Sequence, residues 1–113
     1  MKELAKADNE FFLRIDNIRY VIRVEEVLYA KSSRRVLRIV LRDGREFCVS
    51  QKPIEYLLQQ VKTDKLIRCA RGVLVNREYI EKIDLNKKKL LLINDLQLDI
   101  GRQYMDVLCI VRK

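Results

Sequence analysis

The sequence predicts a mainly β domain with two short helices. Apolar residues alternate with polar ones at a period of two through most of the chain. Turn-forming dipeptides such as Asp16-Asn17 and Asp43-Gly44 fall between the alternating runs. Helical spacing of apolar residues occurs in only two places, after Pro53 and after Gly101.

The elements follow in order. Phe11, Leu13 and Ile15 alternate with Phe12 and Arg14, and Ile18, Tyr20 and Ile22 alternate with Arg19, Val21 and Arg23. Each run predicts a strand with one buried face, joined through Asp16-Asn17. Val27 to Ala30 is a third strand, which Lys31 to Arg34 interrupts as a polar loop. From Arg35 to Arg42, Leu37, Ile39 and Leu41 take one face and Arg38 and Arg42 the other. That second face reads as solvated. Asp43-Gly44 then turns the chain into a strand carrying Phe47 and Val49.

Pro53 opens a helix in which Ile54, Leu57, Leu58 and Val61 form one apolar stripe, with Ser50 as its cap. This helix is expected to lie on the sheet as a lid. Ile67 and Cys69 flank Arg68 on a further strand. A hairpin runs from Tyr79 to Leu85 against Lys89 to Ile93 through Asn86-Lys87-Lys88. Asn94-Asp95 starts another turn, Leu96, Leu98 and Ile100 alternate, and Tyr104, Val107, Leu108 and Val111 share a face of the last helix. Residues 1–9 read as a linker or tail and 10–113 as one domain.

With 113 residues the chain is long enough for one domain with a modest core. No apolar run approaches the ~20 residues of a membrane helix, and the charged N-terminus lacks the apolar centre of a signal peptide. A cytoplasmic location is expected. The net charge of +8, reached without any histidine, points to a polyanionic partner. The charge is also clustered: Lys31, Arg34, Arg35, Arg38, Arg42 and Arg45 fall in one stretch whose only acid is Asp43. Cys48, Cys69 and Cys109 have no Cys-x-x-Cys spacing and no histidine to complete a zinc site, so they read as reduced thiols in or near a core. Without an imidazole, paired carboxylates beside a glycine-rich turn, or a phosphate loop, the sequence predicts no enzyme and no cofactor.

The most informative stretch runs from Ile67 to Ile80, followed by Leu98 to Leu108. Each hangs an arginine on a glycine-containing turn between apolar runs. Ile67, Arg68, Leu74, Val75, Asn76 and Ile80, then Leu98, Ile100, Arg102, Tyr104 and Leu108, resemble the signature of the LytTR-type DNA-binding domain of bacterial transcription regulators. That signature is an aromatic or aliphatic residue, Arg-x-His-Arg-Ser-x-Ile-Val-Asn-x-x-x-Ile, and later Leu-x-Val-Ser-Arg-x-Tyr-x-x-x-Leu. The family's histidine is Ala70 here and its serine is Gly72, which removes two polar groups and bears on which bases are read. The resemblance covers the chain from about Phe11 to the C-terminus.

The resemblance implies an elongated stack of small antiparallel sheets whose loops, and not a recognition helix, enter DNA. Three places would make contact: the loop Lys31-Ser32-Ser33-Arg34-Arg35, with Arg35 or Arg34 in the major groove; Arg71; and Arg102 at the start of the last helix. Arginine's planar fork can donate two hydrogen bonds to guanine O6 and N7. At a helix N-terminus, unpaired N–H groups would let phosphate dock beside Arg102. Lys31, Ser32, Ser33 and Gln103 suit phosphate contacts, which position without reading sequence.

Structural roles compete for some of these residues. Arg102 could pair with Asp99 or Asp106, and Arg71 with Glu78. Arg68 is expected in an ion pair, and Asn76 on local backbone. The resemblance further implies response-regulator function in a two-component system, binding to direct repeats in duplex DNA and a homodimer on DNA. It also implies a receiver domain or partner protein outside this chain, which would make the chain either a fragment cut at the linker or a free-standing regulator. Two other readings are open: a basic β-domain binding RNA, which would need exposed aromatics for base stacking, and an interaction module for an acidic protein.

Overall fold

In the computed structural model, residues 9–61 and 63–105 are described. Ten strands and one α-helix follow in the order β1 (Glu10–Ile15), β2 (Ile18–Arg23), β3 (Val27–Ser33), β4 (Val36–Leu41), β5 (Glu46–Ser50), α1 (Ile54–Gln60), β6 (Leu66–Ala70), β7 (Val73–Asn76), β8 (Ile80–Asp84), β9 (Lys89–Leu92) and β10 (Gln97–Asp99). They form three antiparallel sheets: the hairpin β1-β2, a five-stranded sheet in the order β5-β4-β3-β7-β6, and a three-stranded sheet β10-β9-β8. The domain measures 54 × 29 × 24 Å. It is the elongated stack of small sheets that the family resemblance implied.

The central sheet is buried on both faces, and this produces two cores. Leu37, Ile39 and Leu41 point to one side, where Phe11, Leu13 and Ile22 of the hairpin and Ile54, Leu57 and Val61 at α1 close over them. Leu28, Val40, Cys69 and Val75 point to the other, against Leu90, Leu92 and Ile100. Each large apolar side chain so enclosed contributes about 1.5–3 kcal/mol of transfer free energy. Between the two cores, Asn76 is the one buried polar residue among those described. Its Nδ2 donates to the carbonyls of Val27 (2.9 Å) and Val24 (3.2 Å), and its Oδ1 accepts from Glu78 N–H at 3.0 Å. The local bond expected of Asn76 is present, joined by two long-range ones.

Several elements differ from the sequence reading. Lys31 to Ser33 do not interrupt β3 but extend it, leaving only Arg34-Arg35 as the turn. Beyond the core both faces of a hairpin meet solvent, so polar residues do not end the strand there. Ser50 is the last residue of β5, opposite Val36, and does not cap α1; Pro53 takes the cap position without a side-chain hydrogen bond. Leu58, placed on the apolar stripe, is exposed because Ile54, Leu57 and Val61 carry the buried face and Leu58 stands about 100° round the helix from Leu57. Cys48 is exposed on the outer side of β5. The second helix begins as a 3-10 turn, Arg102–Tyr104. Val107, Leu108, Cys109 and Val111 lie outside the described residues.

Candidate nucleic-acid interface

Three of the predicted segments meet at one end of the central sheet. The tip of β3-β4 is a two-residue turn in which Ser33 pairs with Val36, and Arg34 and Arg35 both adopt left-handed backbone, with φ of 52° and 66°. The β6-β7 connection is equally short, with Ala70 opposite Val73 and Arg71-Gly72 between them. Ser32 N–H donates to the Gly72 carbonyl at 2.8 Å, which locks these two tips side by side. Gly101 N–H donates to the Cys69 carbonyl at 2.7 Å and brings Arg102 and Gln103 to the same end.

Gly72 is required by that contact. A Cβ there would stand 2.9 Å from the Ser32 carbonyl oxygen, so any side chain would push the two turns apart.

An open groove runs between the segments, lined among others by Ser32, Arg71, Gln103, Tyr104 and the Arg68–Glu55 pair. It continues into a second depression lined by Ser32, Arg35, Gln51, Lys52 and Pro53. Lys31 and Ser33 face the opposite side of the hairpin, beside Tyr29, Val36 and Arg38. The structure therefore unites Ser32, Arg35, Arg71 and Gln103 and sets Lys31 and Ser33 apart. Alternation along a strand dictates this split once Lys31 to Ser33 are strand and not loop.

The partners of the arginines separate two groups. Arg23 pairs with Glu10, Arg38 with Glu46, Arg45 with Asp43, Arg68 with Glu55 and Arg77 with Asp64. Arg14 bonds Asn17, Arg42 bonds the Tyr79 hydroxyl, and Arg19 lies over the Phe12 ring. The guanidinium groups of Arg34, Arg35, Arg71 and Arg102 are exposed and have neither a hydrogen bond nor an ion pair among the described residues. The pairings of Arg71 with Glu78 and of Arg102 with Asp99 do not form: Glu78 is taken by Lys65 at 3.5 Å, and Asp99 by Lys89. Asp106 lies outside the described residues.

The family model for the LytTr DNA-binding domain matches residues 17–109. The chain belongs to the LytTr DNA-binding domain family. A LytTr DNA-binding domain from Bacillus cereus, part of a protein described as a methyl-accepting/DNA response regulator, aligns with a TM-score of 0.71. The alignment has 18% sequence identity and covers 93% of this chain and 97% of that one, a likeness of fold. Among curated protein sequences none matches.

Within this LytTr domain Arg68 is structural, as expected from its strand position. Its guanidinium hydrogen bond holds the Glu55 carboxyl below the usual carboxylate range, with the Arg71 charge contributing. The same bond raises Arg68 above its ordinary value, and Tyr104 adds to the rise. The pair ties α1 to the floor of the groove. The sequence offered no signal for Glu55 or for Lys52, because each stands alone beside an apolar stripe.

Cys69 lies in the family motif but is fully buried, and burial pushes its thiol up to about 12. At pH 8 only about one thiol in ten thousand would be thiolate, the reactive form. Iodoacetamide at pH 8 is therefore expected to label exposed Cys48 and leave Cys69 unmodified until denaturant is added, as read by peptide mass spectrometry. Labelling of Cys69 in the folded protein at the rate of Cys48 would contradict its enclosure.

Proposed function

We propose that this domain binds double-stranded DNA sequence-specifically in transcription regulation. Arg34, Arg35, Arg71 and Arg102 read bases in the major groove, and Ser32 and Gln103 contact phosphates, with Lys31 and Ser33 reaching backbone from the far side of the hairpin. One observation carries this reading: at one end of the molecule four arginines have no hydrogen bond or ion pair among the described residues, while every other described arginine is engaged within the chain. An arginine without an internal partner keeps its whole fork for a ligand, and a carboxylate pairing need not be broken first. Arg102 contributes its side chain from the first residue of the 3-10 turn Arg102–Tyr104.

RNA is the weaker candidate. Tyr20 packs on Phe47, and Phe12, Tyr56 and Tyr79 each hold a cation, so these rings are engaged within the chain and not free for stacked bases. Binding to direct repeats about one helical turn apart would return the same groove to the same face for two copies.

Titration of duplex DNA over a range of salt tests the proposal. With roughly five phosphates neutralised, log K against log salt is expected to slope about −4 to −5. On the site enriched by binding-site selection from random duplexes, the selected site, Arg35→Ala and Arg102→Ala should each weaken binding by ~1–3 kcal/mol, nearly additively, and barely affect random duplex. Arg38→Ala and Arg42→Ala should cost less, and equally on all sequences. A flat salt response, equal preference for structured RNA, or equal losses on specific and random DNA for Arg35→Ala and Arg102→Ala would overturn it.

A further inference from the structure

The connection between β5 and α1 forms a fourth wall of the interface. Gln51 there has left-handed backbone, φ 59°, and its N–H donates to the carbonyl of Arg35. A bulky non-glycine residue is held in that region only where its surroundings over-determine it. The bond fixes the connection to the residue at the hairpin tip. Lys52 follows immediately and lines the depression that contains Ser32 and Arg35.

Lys52 differs from the lysines that close ion pairs in this chain. Lys65 is engaged by Glu78 and Lys89 by Asp99. The Lys52 ammonium instead stands 4.7 Å from the centroid of the Tyr56 ring and has no carboxylate partner among the described residues. A ring face attracts the charge without using its N–H donors, which stay available to an anion. It also restricts the flexible stem, so less side-chain freedom is lost on binding. The carboxylate on this flank, Glu55, is already held by Arg68 and lines the neighbouring groove.

We propose that Lys52 is a DNA-backbone contact: it takes a phosphodiester beside the base read by Arg35, and Tyr56 holds it in place. This rests on the DNA-binding reading above and adds a contact segment to it.

The test uses the whole chain and two labelled duplexes, the selected site and a scrambled one, titrated at several salt concentrations. Lys52→Met keeps the stem over Tyr56 and removes the charge. It is expected to weaken both duplexes by the same factor, about three- to tenfold at 0.1 M salt, and to flatten the salt slope by about one. Lys52→Arg should restore the slope. In the same series Arg35→Ala should discriminate between the duplexes, which Lys52→Met should not. Unchanged affinity, or a loss with the slope intact, would overturn the Lys52 contact while wild-type and Arg35→Ala behaviour left the DNA reading standing. Failure of the wild type to bind either duplex would overturn both.

Discussion

Replacing Arg34-Arg35 with Asn-Gly is expected to make the domain more stable and much poorer at recognition. Both arginines have positive φ, 52° and 66°, the backbone of a type I′ hairpin turn. Left-handed backbone places Cβ against the following carbonyl oxygen and costs roughly 1–2 kcal/mol for an ordinary residue. Asn-Gly is the favoured pair for such turns. The chain supplies its own comparison: the β1-β2 turn has the same form, with φ of 51° and 69°, and uses Asp16-Asn17. There Asn17 also accepts a hydrogen bond from Arg14 at 2.8 Å.

The unfolded-state entropy of the new glycine offsets part of the gain. A net stabilisation of about 1 kcal/mol should remain, visible as a rise in melting temperature of roughly 4 °C. Binding to the selected site should fall by about 2–4 kcal/mol through loss of a bidentate contact and its neighbouring cation. Strain retained at a hairpin tip, where a better sequence is available, is what a site kept for its ligand would show. A lower melting temperature would refute the strain argument. Undiminished binding would remove this turn from the interface.

Local pattern carried much of the fold. Alternation located β1, β2, β4, β5 and β10, and the left-handed turns at Asp16-Asn17 and Gly44 fell where those residues stood. The two-sided burial of the central sheet was not legible: Val40 alternates with Ile39 and Leu41, yet all three are enclosed. Only the arrival of β8 to β10, some fifty residues later, covers the face that holds Val40. The same applies to the interface. The arginines announced themselves by residue type and turn context. Their convergence depends on Ser32 meeting Gly72 and Cys69 meeting Gly101, contacts between distant segments that no local period encodes. Lys52, a single lysine before a proline, becomes meaningful only once Gln51 is seen bound to Arg35.

Asn76→Ala is expected to be among the most destabilising single substitutions. Asn76 is wholly buried at the end of β7, and its amide joins three chain segments: the carbonyls of Val24 and Val27 ahead of and at the start of β3, and the N–H of Glu78. Alanine would leave two carbonyls of buried residues without this donor and open a small void. The cost should be about 2–4 kcal/mol, or roughly 8–16 °C in melting temperature. Asn76→Asp should be worse at neutral pH, because it turns a carboxylate oxygen toward two carbonyls that need a donor. That carboxyl would have its folded-state pKa raised well above the unfolded value of ~3.9. A group raised in this way destabilises most above its folded pKa, and the deficit shrinks as pH falls toward the unfolded value. Asn76→Asp should therefore recover stability between pH 7 and pH 5 relative to Asn76→Ala, in denaturant melts at each pH. The interface lies at the opposite end of β3, so the folded fraction of either variant should bind the selected duplex with nearly wild-type affinity. If Asn76→Ala instead kept full stability but lost affinity, Asn76 would belong to the DNA-reading surface and not to the frame that carries it.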